Sequence, residues 1–142
     1  MTPLRHERID ELHDSFSLFD NWEDRYGYLI DLGKALPPMP EDVKKEETRI
    51  QGCQSRVWLA ISTSSDDHLL LACDSDSAIV KGLAAILWRV YNELPVREVL
   101  EYDVEGLFDE LELGEHLSMN RRTGLRGMIA QIRTFALMAG KN

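Results

Sequence analysis

Cys53 sits in the stretch Ile50-Gln51-Gly52-Cys53-Gln54-Ser55-Arg56-Val57-Trp58-Leu59. A thiol kept for packing usually lies inside an apolar pattern. This one lies at the edge of such a pattern, where a loop can present it. Gly52 permits a tight turn that residues with a Cβ resist. Gln51, Gln54 and Ser55 offer hydrogen bonds to an anionic sulfur, and Arg56 adds a positive charge nearby. A reactive cysteine needs such an electropositive, partly accessible setting to hold its thiolate. The same residues also fit an inert loop thiol, and the pattern alone leaves both readings open.

The only other cysteine is Cys73. It shares the alternation of Leu69 and Leu71, which places it in the core. If a hairpin turns near Asp66-Asp67, Cys73 falls opposite Leu59 and Cys53 lies six residues further along. At about 3.3 Å per extended residue the two are separated by about 20 Å. A disulfide needs Cα atoms within roughly 7 Å, so no bridge is expected. Two cysteines cannot ligate a four-cysteine cluster. His6, His13, His68 and His116 show no metal-ligand spacing such as HxxxH, so no metal is expected.

A second anomaly lies near the C-terminal end. Residues 101–116 carry Glu101, Asp103, Glu105, Asp109, Glu110, Glu112 and Glu115 without one Lys or Arg. Residues 117–142 carry Arg121, Arg122, Arg126, Arg133 and Lys141 without one acid. Arg121 and Arg122 fall at the start of the last predicted helix, where cations oppose the helix dipole by roughly 0.3–1 kcal/mol each. Gly124 and Gly127 weaken the same stretch by about 1 kcal/mol apiece if helical. Local rules broken together often mark a site. The alternative is that these arginines pair with the acidic segment before them.

The elements that position these residues follow from periodicity. Ile9, Leu12 and Phe16 have helical spacing within Leu4 to Phe16. Asp20-Asn21 offers a cap for a second helix striped by Trp22, Tyr26, Leu29 and Ile30. Pro37-Pro38-Met39-Pro40 stops it, and Glu41 to Glu47 reads as a solvated charge run. Thr48 to Gln51 is expected to be a short strand. Val57 to Ile61 and Leu69 to Cys73 alternate as two further strands. Asp74-Ser75-Asp76-Ser77 supplies caps for a strong helix striped by Ile79, Leu83, Ile86, Leu87 and Val90. Its Ala78, Gly82 and Ala85 form a small-residue face that admits another backbone. Pro95 opens a short helix, Asp103 to Leu113 holds another, and Leu125, Met128, Ile129, Ile132, Ala136 and Ala139 stripe the last. The expectation is one α+β domain over residues 1–142, with a small antiparallel sheet of about three strands packed against several helices.

The chain has 142 residues, 44% of them hydrophobic and 29% charged, enough for one domain with a real core. Its net charge of -9 provides no global basic footprint, so no nucleic-acid partner is expected. The charged N-terminus has no apolar signal region. The longest apolar run, Leu83 to Trp88, is too short to span a bilayer. A cytoplasmic location, where thiols stay reduced, is the expectation, with no membrane partner.

Three segments together carry a resemblance: Gly52-Cys53-Gln54-Ser55-Arg56-Val57-Trp58, Asp74-Ser75-Asp76-Ser77-Ala78-Ile79-Val80-Lys81-Gly82-Leu83, and Leu117-Ser118-Met119-Asn120-Arg121-Arg122-Thr123-Gly124-Leu125. In order and spacing they resemble the SufE family of sulfur-acceptor proteins. Asn21-Trp22-Glu23-Asp24-Arg25-Tyr26 and Leu32-Gly33-Lys34 fit as well. The resemblance implies sulfur relay by a carrier rather than an enzyme. The partner would be a SufS- or CsdA-type pyridoxal-phosphate cysteine desulfurase, which the carrier stimulates and whose persulfide sulfur it accepts. The sulfur then goes to a downstream acceptor or scaffold of iron–sulfur cluster assembly. By that resemblance Cys53 is the acceptor and Arg121 the arginine that supports its thiolate or persulfide. The family segment Ser-Arg-Ser-Gln-Gly-Leu reads here as Asn120-Arg121-Arg122-Thr123-Gly124-Leu125, so Arg122 stands as the substitute. Asp76 falls in the second segment. The carrier itself needs no cofactor, and a homodimer is left open.

Two other readings of Cys53 compete. An iron–sulfur cluster scaffold is disfavoured by two non-adjacent cysteines. A thiol peroxidase or redox sensor often uses a nearby resolving cysteine, which the expected distance to Cys73 disfavours.

Overall fold

A computed structural model describes residues 2–51 and 55–139. The order is α1 (Thr2–Ser17), α2 (Trp22–Lys34), β1 (Val57–Thr63), β2 (Leu69–Ser75), α3 (Ala78–Tyr91), α4 (Val96–Val99), α5 (Val104–Glu110) and α6 (Met119–Ala139). Short 3-10 turns occupy Glu41–Val43, Glu46–Thr48 and Gly114–His116. The fold is α+β, as the sequence predicts.

Helices α2, α3 and α5 carry side-chain caps at their starts, of which those at Asn21 and Ser77 are expected from the sequence. The Asn21 side chain accepts the Asp24 N–H at 2.8 Å, Ser77 Oγ accepts that of Val80 at 3.3 Å, and Asp103 accepts that of Gly106 at 3.0 Å. Each satisfies a donor that the first helical turn leaves free. Helix α3 forms the centre. Its Ile79, Val80, Leu83, Ala84, Ala85, Ile86, Leu87 and Val90 are all buried, well beyond one stripe. A helix apolar on most sides must be surrounded, and α3 contacts α1, α2, β2 and α6. The crossing with α2 is close because it is made of glycines. A Cβ on Gly82 would collide with the backbone carbonyl of Leu29, and one on Gly33 would lie 2.9 Å from the Gly82 nitrogen.

Strands β1 and β2 pair antiparallel in the predicted register, with Leu59 opposite Cys73 and Trp58 opposite Asp74. Among the described residues the sheet has two strands, where about three are expected. The segment expected to supply the third is taken up by the turn at Glu46–Thr48, where Thr48 Oγ1 donates to the Val43 carbonyl at 2.6 Å. Only Arg49 then bridges to Trp58, and the Ile50 N–H donates to the Val57 carbonyl at 2.8 Å. The far edge of β2 is covered by the α3–α4 connection. There the Leu69 N–H donates to Leu94, the Glu93 N–H donates to Leu69, and the Leu71 N–H reaches the Asn92 side chain. A short sheet with both edges engaged is protected from pairing with other chains.

Candidate functional site around the Cys53 segment

Cys53 lies outside the described residues, together with Gly52 and Gln54. What the structure gives is the frame that carries them. On one flank, Ile50 is paired to Val57 at the start of β1. On the other, the Arg56 N–H donates to Asp76 Oδ1 at 3.0 Å. The Arg56 carbonyl accepts from Ser75 Oγ at 2.7 Å and from the Asp76 N–H at 3.1 Å. The flanks of residues 52–54 are therefore held at a base locked to the end of β2 and the approach to α3. Asp76, flagged in the sequence without a definite role, is the side chain that closes this base.

Beside the base lies a cluster the sequence reading missed. Lys44 Nζ sits 2.6 Å from Asp74 Oδ2 and 5.6 Å from the centre of the Trp58 ring. Lys81 Nζ approaches Asp74 Oδ1 at 3.4 Å. Burial opposes ionisation of Asp74, yet the Lys44 ammonium, the Ser75 N–H and the Lys81 charge hold its carboxyl below its ordinary value. The charge run Glu41 to Glu47 is thus not wholly solvated, since the Lys44 side chain is only 17% exposed. The signal was available in the hairpin register, which sets Trp58 against Asp74 and creates a place for a cation. Two lysines share one carboxylate here, and Arg49 and Arg56 flank the Cys53 segment in sequence. The base of that segment is a mixed-charge cluster, in which Lys44 also pairs with Glu41 at 3.2 Å and Asp76 accepts the Arg56 N–H.

Cys73 is placed where parity predicts. It is 2% exposed, and its Sγ lies 3.9 Å from the Ala84 carbonyl. Burial, reinforced by the Asp74 carboxylate and partly offset by Lys81, pushes its thiol pKa up to about 12. A thiol so held is not a nucleophile near neutral pH.

Arg121 and Arg122 fall in the first turn of α6, as expected, and point to different sides. Arg121 shares its face with Gly124 and Met128, which are buried. Further along α6, a Cβ on Gly127 would meet Ile50 Cγ2 at 2.5 Å, so the helix lies against the residue that anchors the Cys53 segment. Arg122 shares its face with Arg126, Ile129 and Arg133 and lines a cavity against α5. The predicted pairing of the basic helix with the acidic segment is realised at Arg133, whose two terminal nitrogens bond Glu105 at 2.6 and 2.5 Å. Neither Arg121 nor Arg122 joins an ion pair among the described residues. The start of α6 is fixed by aromatic contacts from α2. Trp22 stacks on His116 with centroids 3.7 Å apart, and the Tyr26 hydroxyl donates to the His116 carbonyl.

His13 and His68 make structural contacts. His13 pairs with Glu110 at 3.0 Å, and His68 bridges to Pro95. Among the described residues no three His, Cys, Asp or Glu side chains group as a metal site.

The SufE family model, described as an Fe-S metabolism associated domain, matches residues 10–136, and the chain belongs to this family. The fold is similar to the solution structure of a hypothetical protein from Thermus thermophilus. That match has a TM-score of 0.75 and 20% identity, and covers 95% of this chain and 97% of the other.

Proposed function

We propose that this protein is a sulfur-relay carrier that takes persulfide sulfur from a pyridoxal-phosphate cysteine desulfurase onto Cys53. It stimulates that enzyme and passes the sulfur toward iron–sulfur cluster assembly. Family membership supports a role in Fe-S metabolism. The observation that carries the finer reading is the contrast between the two thiols. Cys73 is buried and held protonated. Cys53 belongs to a segment whose described flanks are tied to the hairpin root beside Lys44 and Lys81.

In the transfer, the Cys53 thiolate attacks the outer sulfur of the donor persulfide. A sulfur–sulfur bond forms at Cys53, the donor's sulfur–sulfur bond breaks, and the donor leaves as its thiolate. No oxidant or reductant is consumed. Cations near the acceptor favour the attacking anion and the product persulfide anion alike. The carrier works with a partner enzyme and turns over nothing alone. Reduced thiols suit a cytoplasmic setting, and no helix among the described residues is long and apolar enough to cross a membrane.

The test is desulfurase turnover on cysteine with and without this protein, followed by intact mass. Wild type should gain one sulfur atom and accelerate turnover. Cys53→Ser should do neither, and Cys73→Ser should retain most of both. Normal stimulation by Cys53→Ser would overturn the assignment.

A further inference from the structure

Helices α5 and α6 diverge around a cavity of about 510 Å³, within the range of small-molecule sites. One wall is the basic face of α6, with Arg122, Arg126 and Arg133. The other bears Glu105, Asp109 and Glu115. The floor is apolar, made by Phe108, Leu117, Leu125 and Ile129.

The two ends of this cavity differ. At one end Arg133 and Glu105 satisfy each other in a two-pronged pair. At the other, the Nε of Arg122 is buried with no hydrogen-bond partner. Buried donors are nearly always satisfied, and an orphan on a charged group is costly. Glu115 lines the same cavity and does not bond Arg122. The open end is therefore lined by a guanidinium that no acidic side chain pairs among the described residues. A guanidinium fork of this kind matches a carboxylate in geometry.

The remaining lining narrows the class. Asp109 and Glu115 make the cavity hostile to multiply charged anions such as phosphate esters. The apolar floor favours a compact hydrocarbon body behind a single negative charge.

The geometry points to a binding site for a small organic monocarboxylate between α5 and α6, with its carboxylate on Arg122 and its apolar body on Phe108, Leu125 and Ile129. The site lies on a different face of α6 from Arg121, so it does not depend on the sulfur-relay reading.

The experiment is an NMR titration of the intact protein with benzoate, following the amide, methyl and arginine Nε–H signals. Benzyl alcohol provides the same body without charge, and inorganic phosphate provides charge without the body. Saturable benzoate shifts centred on Arg122, Phe108, Leu125 and Ile129 are expected, with benzyl alcohol about tenfold weaker. Arg122→Met should weaken benzoate by about tenfold, and Arg122→Lys, which keeps the charge but loses the fork, should weaken it also. Well-dispersed spectra of both variants establish that they are folded, and the wild-type titration stands without them. Absence of saturable shifts, equal binding of benzyl alcohol, phosphate shifting the same signals as strongly, or an unchanged Arg122→Met would each overturn the site.

Discussion

The carboxylate of Asp76 accepts the backbone N–H of Arg56 at 3.0 Å, while the Arg56 carbonyl accepts the N–H of Asp76 at 3.1 Å. This reciprocal pair closes the base of the Cys53 segment against the approach to α3. Under the proposed sulfur relay, a segment that shields a persulfide and later presents it needs a fixed root. Asp76 and Arg56 have the geometry of one.

Asp76→Ala removes the side-chain half of the pair. Global stability should fall by about 1 kcal/mol, the usual worth of one such hydrogen bond. The local effect should be larger: iodoacetamide should alkylate Cys53 faster than in wild type. Asp76→Asn keeps an acceptor oxygen and should stay close to wild type. Identical alkylation rates in wild type and Asp76→Ala would show that this pair does not control the segment.

Cys73 gives a prediction with a defined sign. Its thiol pKa is raised from 9.0 to about 12 by burial, so the folded state favours the neutral form. The associated stability is fully present below about 9 and is lost as pH rises toward about 12. Cys73→Ala should therefore melt with a shallower alkaline decline than wild type over that window. Below it, the two should differ by a constant offset. Native alkylation at pH 8 should modify Cys53 alone, and a doubly modified folded protein would contradict the burial argument.

Much of this frame is legible in the sequence. Alternation in Val57 to Ile61 and Leu69 to Cys73 sets the hairpin register, because a one-residue slip would turn every apolar side chain outward. Side chains with a local reason to cap, such as Asn21 and Ser77, also read correctly. The third strand failed because a hydroxyl at Thr48 found a nearer carbonyl, a local bond that periodicity does not register. Lys44 was missed for the opposite reason. Its partner Asp74 is thirty positions away in sequence, and only the folded hairpin brings them together. The chemical role of Cys53 came from the resemblance of three segments, since polar neighbours alone left the inert reading open.

Arg121 and Arg122 can be separated by function because α6 turns them to different faces. Arg121→Ala should impair sulfur transfer and move the pH profile of Cys53 alkylation to higher pH. Thermal stability should change little, and loss of a cation near a helix start should favour the helix by a few tenths of a kcal/mol. Arg122→Ala should leave sulfur transfer intact. If Arg122→Ala abolishes transfer and Arg121→Ala does not, the arginines are aligned one residue out. If neither matters, the thiolate draws its support from the lysines around Asp74. In that case Lys44→Met, which should also raise the Asp74 pKa, becomes the informative variant.

The helix crossing at Gly82 should be the least tolerant position in the core, and a second glycine in α2 supplies its control. A Cβ at Gly82 would run into the Leu29 carbonyl, and both partners are backbone of packed helices. Neither can move without opening the α2–α3 interface, where a Cβ on Gly33 would also lie 2.9 Å from the Gly82 nitrogen. Gly82→Ala should destabilise by roughly 1–3 kcal/mol or more, the range for overpacking a core, despite the higher helix propensity of alanine. Gly27, exposed in α2, has nothing within 4 Å of an added Cβ. Gly27→Ala should stabilise by about 0.5–1 kcal/mol through reduced freedom of the unfolded chain. Urea melts of the two variants should therefore move in opposite directions from wild type. If Gly82→Ala matches Gly27→Ala, the two helices do not cross as closely as the glycines permit.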